Sequence, residues 1–269
     1  MTDKPPQSSD YVQSLERGLA VIRAFDAEHR ELALSDVARS TGLTRAAARR
    51  FLLTLVKLGY VNFSEGRFSL RPRVLELGYA YLSSLSLPEV SQPHMEALVA
   101  QVNESCSISV LDDTDVVYVA RVPTRRIMSI TLAVGTRLPA FVTSMGRVLL
   151  AGLTEEELEQ RLARIEIVPL TSRTVQEKDA LRTILATVRR QGHAATDQEL
   201  EEGLRSLAVP IHSSSGTVIA ALNVSVHASR ASMAVLRREF LPLALRTAAA
   251  IEDDLRGTGE HSSFALPQS

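Results

Sequence analysis

The stretch TRAAARRFLLTLVKL, Thr44 to Leu58, decides how the first third of this chain is read. At 100° per residue, Ala47, Ala48, Phe51, Leu52, Leu55 and Leu58 fill one continuous arc, while Arg45, Arg49, Arg50 and Lys57 lie outside it. Such a helix packs on one side and is basic on the other. Thr44 stands where a hydroxyl accepts one of the unpaired amides of a helix start. Just upstream, LSDVARST (Leu34 to Thr41) reads as another short helix capped by Ser35, and Gly42-Leu43 forms the turn between the two. Two short capped helices joined by a glycine turn, the second basic, predict a helix-turn-helix that sets Arg45, Ala46, Arg49 and Arg50 in a DNA major groove. Ser35 and Thr44, at the two helix starts, complete the DNA-facing set on these helices.

Working outward, Tyr11 to Phe25 carries Leu15, Leu19 and Ile22 at helical spacing behind a cap at Ser14, which gives a third helix to pack across the pair. After Gly59, YVNF and RFSL alternate on either side of Ser64-Glu65-Gly66 and predict a two-stranded wing. Arg67 beside the wing tip is either a contact to phosphate or minor groove or a solvated hairpin arginine. From Ser40 to Arg73 the basic residues are Arg45, Arg49, Arg50, Lys57, Arg67, Arg71 and Arg73, against the single acid Glu65. That local imbalance favours a polyanion, although the whole chain of 269 residues has a formal charge of only -1.

Arg73 to Leu87 (RVLELGYAYLSSLSL) is helical in pattern and very apolar for a connector, so it is expected to link two domains and bury its surface against a second copy. From Pro88 the sequence changes character. A helix to about Asn103 precedes strands at Cys106 to Leu111 and Val116 to Val122, joined by an acidic turn. A third strand is expected at Ile127 to Val134, then a loop at Gly135 to Pro139 and a helix opening at Thr143. Thr154 with Glu157, and Thr174 with Glu177, have the spacing of capping boxes for two more helices. Strands resume at His193 to Thr196, Leu207 to Ile211 and Val218 to Val226, and a last helix runs from about Arg230 to Leu255. The expected architecture is α+β, with domains at residues 11–72, 88–257 and a linker helix at 73–87.

Composition is ordinary for a globular chain, at 45% hydrophobic and 23% charged. The lone Cys106 excludes an internal disulfide and a cysteine-rich zinc site. With a polar N-terminus and no apolar run of membrane-spanning length, a cytoplasmic location is expected. Residues 1–10 and those after Arg256 lack periodicity and read as loose ends.

Several separated blocks resemble one family. SLERGLAVIRAF, the helix-turn-helix segment LSDVARSTGLTRAAARRFLLTLVKLGYV, LPAFVTSMGRVLLAGL and DQELEEGLRSLAVPIHSSSGTVIAALNVSVHASR together are similar to the IclR family of bacterial transcriptional regulators, from about Tyr11 to Leu255. TRAAARRFLLTLVKLGY, LELGYAYLSS and TSMGR resemble most closely its PcaR/PcaU/PobR branch, which governs the β-ketoadipate route of aromatic breakdown. The resemblance implies a winged helix-turn-helix, a dimerising linker helix and a C-terminal GAF-like domain that binds a small acidic effector. It implies a homodimer or tetramer on double-stranded operator DNA, with RNA polymerase as a further partner, and no cofactor, metal or catalytic residue.

The resemblance places the effector's carboxylate on backbone amides at Ser144, Met145 and Gly146. A helix start favours an anion there, the Ser144 hydroxyl adds a donor, and Gly146 admits close approach; a plain cap and a packing glycine are the alternatives. Thr196, Ser206, Asn223 and Ser225 are carried over as further pocket positions. The first three depart from the pattern of members that bind short acyl acids, which has aspartate, cysteine and serine there. Arg137, in GTRLPAF, is either a bidentate partner for a carboxylate or a solvated loop arginine. With Met128, Leu138 and Phe141 nearby in sequence, the site suits protocatechuate, 4-hydroxybenzoate or β-ketoadipate.

Other chemistries find little support. Asp197, Glu199, Glu201 and Glu202, with His193 four residues ahead, form either a metal site or a solvated acidic loop. Ser213 to Gly216 lacks the lysine and following helix of a phosphate loop. The alternatives to an aromatic-acid regulator are an IclR-type repressor responding to another carboxylic acid, and a small-molecule hydrolase or binding module.

Overall fold

The Thr44 side chain caps the helix it precedes, its Oγ1 accepting the Ala47 amide at 3.2 Å. In the computed structural model, which describes residues 11–26, 28–77, 87–124 and 132–261, α1 (Gln13–Arg23), α2 (Leu34–Thr41) and α3 (Arg45–Leu58) enclose the core of the N-terminal unit. Val21, Val37, Ala48 and Leu52 are fully or almost fully buried there, joined by Leu55, Val61 and Phe68. Gly42 and Gly59 end α2 and α3 in the left-handed region, at φ 67° and 82°, where a side chain is strained. Arg73 then reaches back to the end of α3, donating from Nη1 to the Leu58 carbonyl at 3.2 Å and stacking over the Tyr60 ring. A cation belongs at that negative helix end.

Two of the expected caps are absent for identifiable reasons. Ser14 and Ser35 both lie inside their helices, which begin two residues earlier than the hydroxyls require. At α2 the work is done by Asp36, whose carboxylate accepts the Ala33 amide at 3.3 Å. The wing forms as expected from β2 (Val61–Ser64) and β3 (Arg67–Leu70), turning through Glu65 and Gly66 at positive φ. A third strand, β1 (Glu31–Ala33), pairs with β3 and makes the sheet β1-β3-β2. Its three residues are too few to show a period.

A second unit begins at Leu85. Its antiparallel sheet has the order β6-β5-β4-β9-β8-β7, from β4 (Ser105–Asp112), β5 (Asp115–Val122), β6 (Arg137–Pro139), β7 (Ala194–Asp197), β8 (Leu204–His212) and β9 (Val218–His227). Each face is covered. Helix α4 (Leu87–Val102) and α8 (Leu241–His261) pack on Cys106, Ile108, Leu222 and Val224, whereas α5 (Ser144–Ala151), α6 (Glu155–Arg164) and α7 (Lys178–Gln191) pack over the other face.

Four expectations are corrected in this unit. The strand β6 occupies Arg137–Pro139, which had the look of a loop, because those residues pair with Asp115, Val116 and Val117. Of the segment expected as a strand at 127–134, residues 132–134 are not strand, and 127–131 lie outside the described residues. Thr154 and Glu157 do form a capping box, but Thr174 instead accepts the Leu170 and Thr171 amides and donates to the Glu199 carbonyl, and α7 starts later, at Lys178. The last helical stretch begins at Met233, capped by Ser232, and α8 continues to His261, past the expected loose end at Arg256. Most of the expected linker helix, residues 78–86, lies outside the described residues.

Candidate functional site

On the N-terminal unit, the outer surface of α3 presents Arg45, Ala46, Arg49 and Arg50, all exposed, and the wing presents Arg67. Positions i, i+1, i+4 and i+5 lie on one side of a helix. Among the described residues, none of these four arginines is paired with an acid, in contrast to Arg39, which Asp36 holds at 2.8 Å. Ser35 and Thr44 are exposed at the starts of α2 and α3. Unpaired guanidinium groups in a row are costless to offer to phosphates or guanine edges, since no existing ion pair must break.

The second site lies in the other unit. The sheet face beneath α5 is polar although buried: Ser105, Ser107 and Ser109 on β4, Asn223 and Ser225 on β9, Ser206 on β8 and Thr196 on β7 are all under 10% exposed. Register brings them together, since Thr196 pairs with Ser206, Ser206 with Ser225, and Asn223 with Ser107. The Ser206 hydroxyl lies 2.8 Å from Ser144 Oγ and 2.9 Å from Thr196 Oγ1, so a chain of three hydroxyls ties α5 to β8 and β7. Asn223 Nδ2 donates to Ser225 Oγ at 2.9 Å, while its Oδ1 has no partner among the described residues. Ser144, Thr196, Ser206, Asn223 and Ser225, with Tyr118, Arg121, Leu132, Met145, Leu200, Glu201 and Leu204, line one cavity. Its free space is about 20 Å³, room for about one water. A larger occupant must therefore displace flexible lining side chains such as Met145 and Leu200.

Helix α5 meets this cavity with its N-terminus. Thr143 Oγ1 accepts the Gly146 amide at 3.0 Å, and among the described residues the Ser144 and Met145 amides have no acceptor. Two free N–H groups at a helix start are suited to a carboxylate. Gly146 plays a different part from the one expected. A Cβ on it would lie 2.1 Å from the Ala140 carbonyl oxygen, so the missing side chain makes room for the protein's own backbone rather than for a ligand.

Arg137 is also corrected. It sits on the edge strand β6, exposed, donating from Nε to Asp115 at 3.1 Å and from Nη1 to Asp112, and these bonds raise its pKa. It is not among the cavity's lining residues. The arginine that does line the cavity is Arg121 on β5. Its guanidinium donates to Ser107 Oγ at 3.2 Å, has no carboxylate partner among the described residues, and has its pKa lowered by burial. Beside it, burial pushes the Tyr118 hydroxyl up to about 12, so it remains a protonated donor at neutral pH. Leu138 and Phe141 belong to the apolar core beside the cavity, and Met128 lies outside the described residues.

The acidic loop is held by arginines. Glu199 accepts two bonds from Arg147, at 2.7 and 2.5 Å, and Arg147 Nε donates to the Phe141 carbonyl at 3.0 Å. Asp197 is paired with Arg205 at 2.6 Å and Arg173 at 2.7 Å, and its pKa is lowered chiefly by Arg205. Among the described residues no group of three or more histidines, cysteines and acids is placed to hold a metal. The loop instead carries Leu200 and Glu201 to the cavity wall.

Comparison with known proteins gives the same division of the chain. The IclR helix-turn-helix domain matches residues 14–64, and the bacterial transcriptional regulator IclR C-terminal domain matches residues 79–253. The Pca regulon regulatory protein of Pseudomonas putida is 46% identical over 238 residues, 88% of this chain and 81% of that protein. A crystal structure from Rhodococcus sp. RHA1 is 56% identical with a TM-score of 0.84, covering 92% of this chain and 100% of that one. An IclR homologue from Microbacterium hydrocarbonoxydans, solved with 4-hydroxybenzoate, is 29% identical with a TM-score of 0.81, covering 91% and 99%.

Proposed function

Because the chain belongs to the IclR family of transcriptional regulators, we propose that it controls genes of aromatic-acid breakdown, binding operator DNA as a homodimer or tetramer and responding to a small aromatic-pathway carboxylic acid. The observation that carries the ligand half is the pair of unpartnered Ser144 and Met145 amides opening onto a buried polar cavity. Among the described residues the buried Asn223 Oδ1 at the cavity has no hydrogen-bond partner, a cost that a donor on a polar ligand would remove. The 4-hydroxybenzoate held by the Microbacterium homologue and the name of the Pseudomonas relative favour an aromatic-pathway acid. For the DNA half, the support is the exposed row Arg45, Arg49 and Arg50 on α3, with Arg67 on the wing, none paired with an acid among the described residues.

Melting of the purified protein with protocatechuate, 4-hydroxybenzoate, β-ketoadipate, glyoxylate and pyruvate tests the ligand reading. A ligand present at 100 times its Kd stabilises the folded state by about 2.7 kcal/mol. The expected result is a raised Tm with an aromatic-pathway acid. Its loss in Ser144→Pro, which removes one of the two amide donors, would place the acid at α5. No shift with any of the five acids contradicts the reading.

A further inference from the structure

The cavity beneath α5 is closed. Its free space is about 20 Å³, and Ser144, Thr196, Ser206 and Asn223 on its walls are buried. Anything larger than water reaches them only if a wall moves. Two of the walls are fixed. All eight residues of α5 are buried, and β8 and β9 each bond to a strand on both sides. The loop between β7 and β8 is built differently, bringing Leu200 and Glu201 to the cavity with both half-buried.

Up to Glu199 this loop is anchored. Asp197 is held by Arg173 and Arg205, Thr171 Oγ1 donates to the Gln198 carbonyl at 2.8 Å, and Arg147 grips the Glu199 side chain. Beyond Gly203 it is anchored again, since the Gly203 carbonyl accepts the Ala228 amide at 2.7 Å. Between the anchors, no side chain from Leu200 to Glu202 has a hydrogen bond or ion pair among the described residues. Leu200 is kept in place by packing on the apolar core.

One bond governs whether Leu200 can turn. Thr174 Oγ1 donates to the Glu199 carbonyl at 2.7 Å, and that carbonyl belongs to the peptide that carries Leu200. Thr174 is not among the cavity's lining residues, so this bond can be altered without touching the cavity wall. At the other end Gly203 lies in the left-handed region at φ 83°, and a Cβ on it would sit 2.9 Å from His227 Nε2. A glycine there lets the loop lie shut, and any side chain would push it outwards.

We propose that Leu200 to Gly203 form the gate of the cavity, with Leu200 as the plug, Gly203 as the hinge and Thr174 as a latch from a separate segment. That the gate admits an effector rests on the reading above; that it opens does not. A segment that buries so little apolar surface opens far more often than the whole unit unfolds.

Thiol modification by iodoacetamide tests this with no ligand present. In Ser206→Cys the full chain has one thiol in the cavity and its native Cys106, which is wholly buried on the opposite face of the sheet and whose thiol is pushed up by burial. Cys106 therefore reacts only on global unfolding, and mass spectrometry reads both thiols in one sample. The thiol of Ser206→Cys should react at least about 10-fold faster than Cys106. Adding Thr174→Val or Gly203→Ala should raise the cavity rate about 3- to 10-fold, the effect of one lost hydrogen bond or comparable strain on an opening equilibrium, while Thr174→Ser should leave it unchanged. Leu200→Ala should raise it as well. Equal rates at the two thiols overturn the gate, as does a cavity rate that Thr174→Val and Gly203→Ala leave unchanged or raise only in proportion to that of Cys106. Failure of every acid to raise the Tm would remove the effector reading and leave the labelling result intact.

Discussion

Replacing Arg147 by methionine should destabilise the C-terminal unit by about 3–5 kcal/mol, the usual cost of leaving a buried charge without its partner. The Arg147 side chain is 3% exposed and that of Glu199 12%, so water cannot take over the lost contact. Two further bonds fail with it. The Phe141 carbonyl loses its donor from Nε, and the loop from Asp197 to Gly203 loses the clamp that fixes Leu200 and Glu201 at the cavity. The double variant Arg147→Met with Glu199→Leu should recover most of the loss, since a well-packed apolar pair often replaces a buried ion pair at little cost. Urea unfolding of the single and double variants reads both effects. Equal stability of Arg147→Met and the unaltered protein would mean that the pair does not hold the loop.

The second large effect concerns DNA. Arg45→Ala and Arg49→Ala should each weaken operator binding by about 1–3 kcal/mol if the guanidinium reads a base edge, while the melting of the protein stays the same. Neither arginine has an acidic partner to lose among the described residues, and both are exposed. The form of the loss assigns the contact. A residue that reads guanine lowers the discrimination between operator and random duplex, whereas one that neutralises phosphate weakens both equally and reduces the salt slope by about one unit. Arg73→Ala is an instructive control. It is as basic as the others, but its guanidinium is engaged with the Leu58 carbonyl and Tyr60, so its removal should act on the stability of α3 rather than on the salt slope.

The N-terminal unit was readable because its signals are local. A glycine at φ 67° between two helices, a threonine cap and the 3.6-residue spacing of Ala48, Leu52 and Leu55 each act within one turn of chain. The cavity beneath α5 was less legible, since its residues meet through register. SCSISV on β4 alternates serine with apolar residues, which usually marks a strand with one face in solvent. Here the serine face lies under α5, and nothing near in sequence says so. The bulge in the pairing of β4 with β5, between Ile108 and Ser109, inserts an extra residue on β5, so that Tyr118 and Arg121 share a face despite their odd spacing. Simple alternation separates them, and the sequence offers Arg137 more readily than Arg121. Ser144, Met145, Thr196, Ser206, Asn223 and Ser225, which family resemblance alone singles out, all line one cavity. The reason for Gly146 is not legible in the sequence: the Ala140 backbone against it is six residues away and leaves no periodic trace.

Coupling between a ligand in the C-terminal unit and DNA binding by the N-terminal unit is tested most directly by the affinity of the protein for a duplex selected from its own promoter targets, with and without a saturating effector identified by calorimetry. A ligand that regulates must favour one arrangement of the reading heads, which corresponds to a coupling of about 1–3 kcal/mol. The expected result is a change in Kd of about 5- to 150-fold, or a shifted footprint at the same operator. Unchanged affinity and an unchanged footprint while the effector is bound would contradict it.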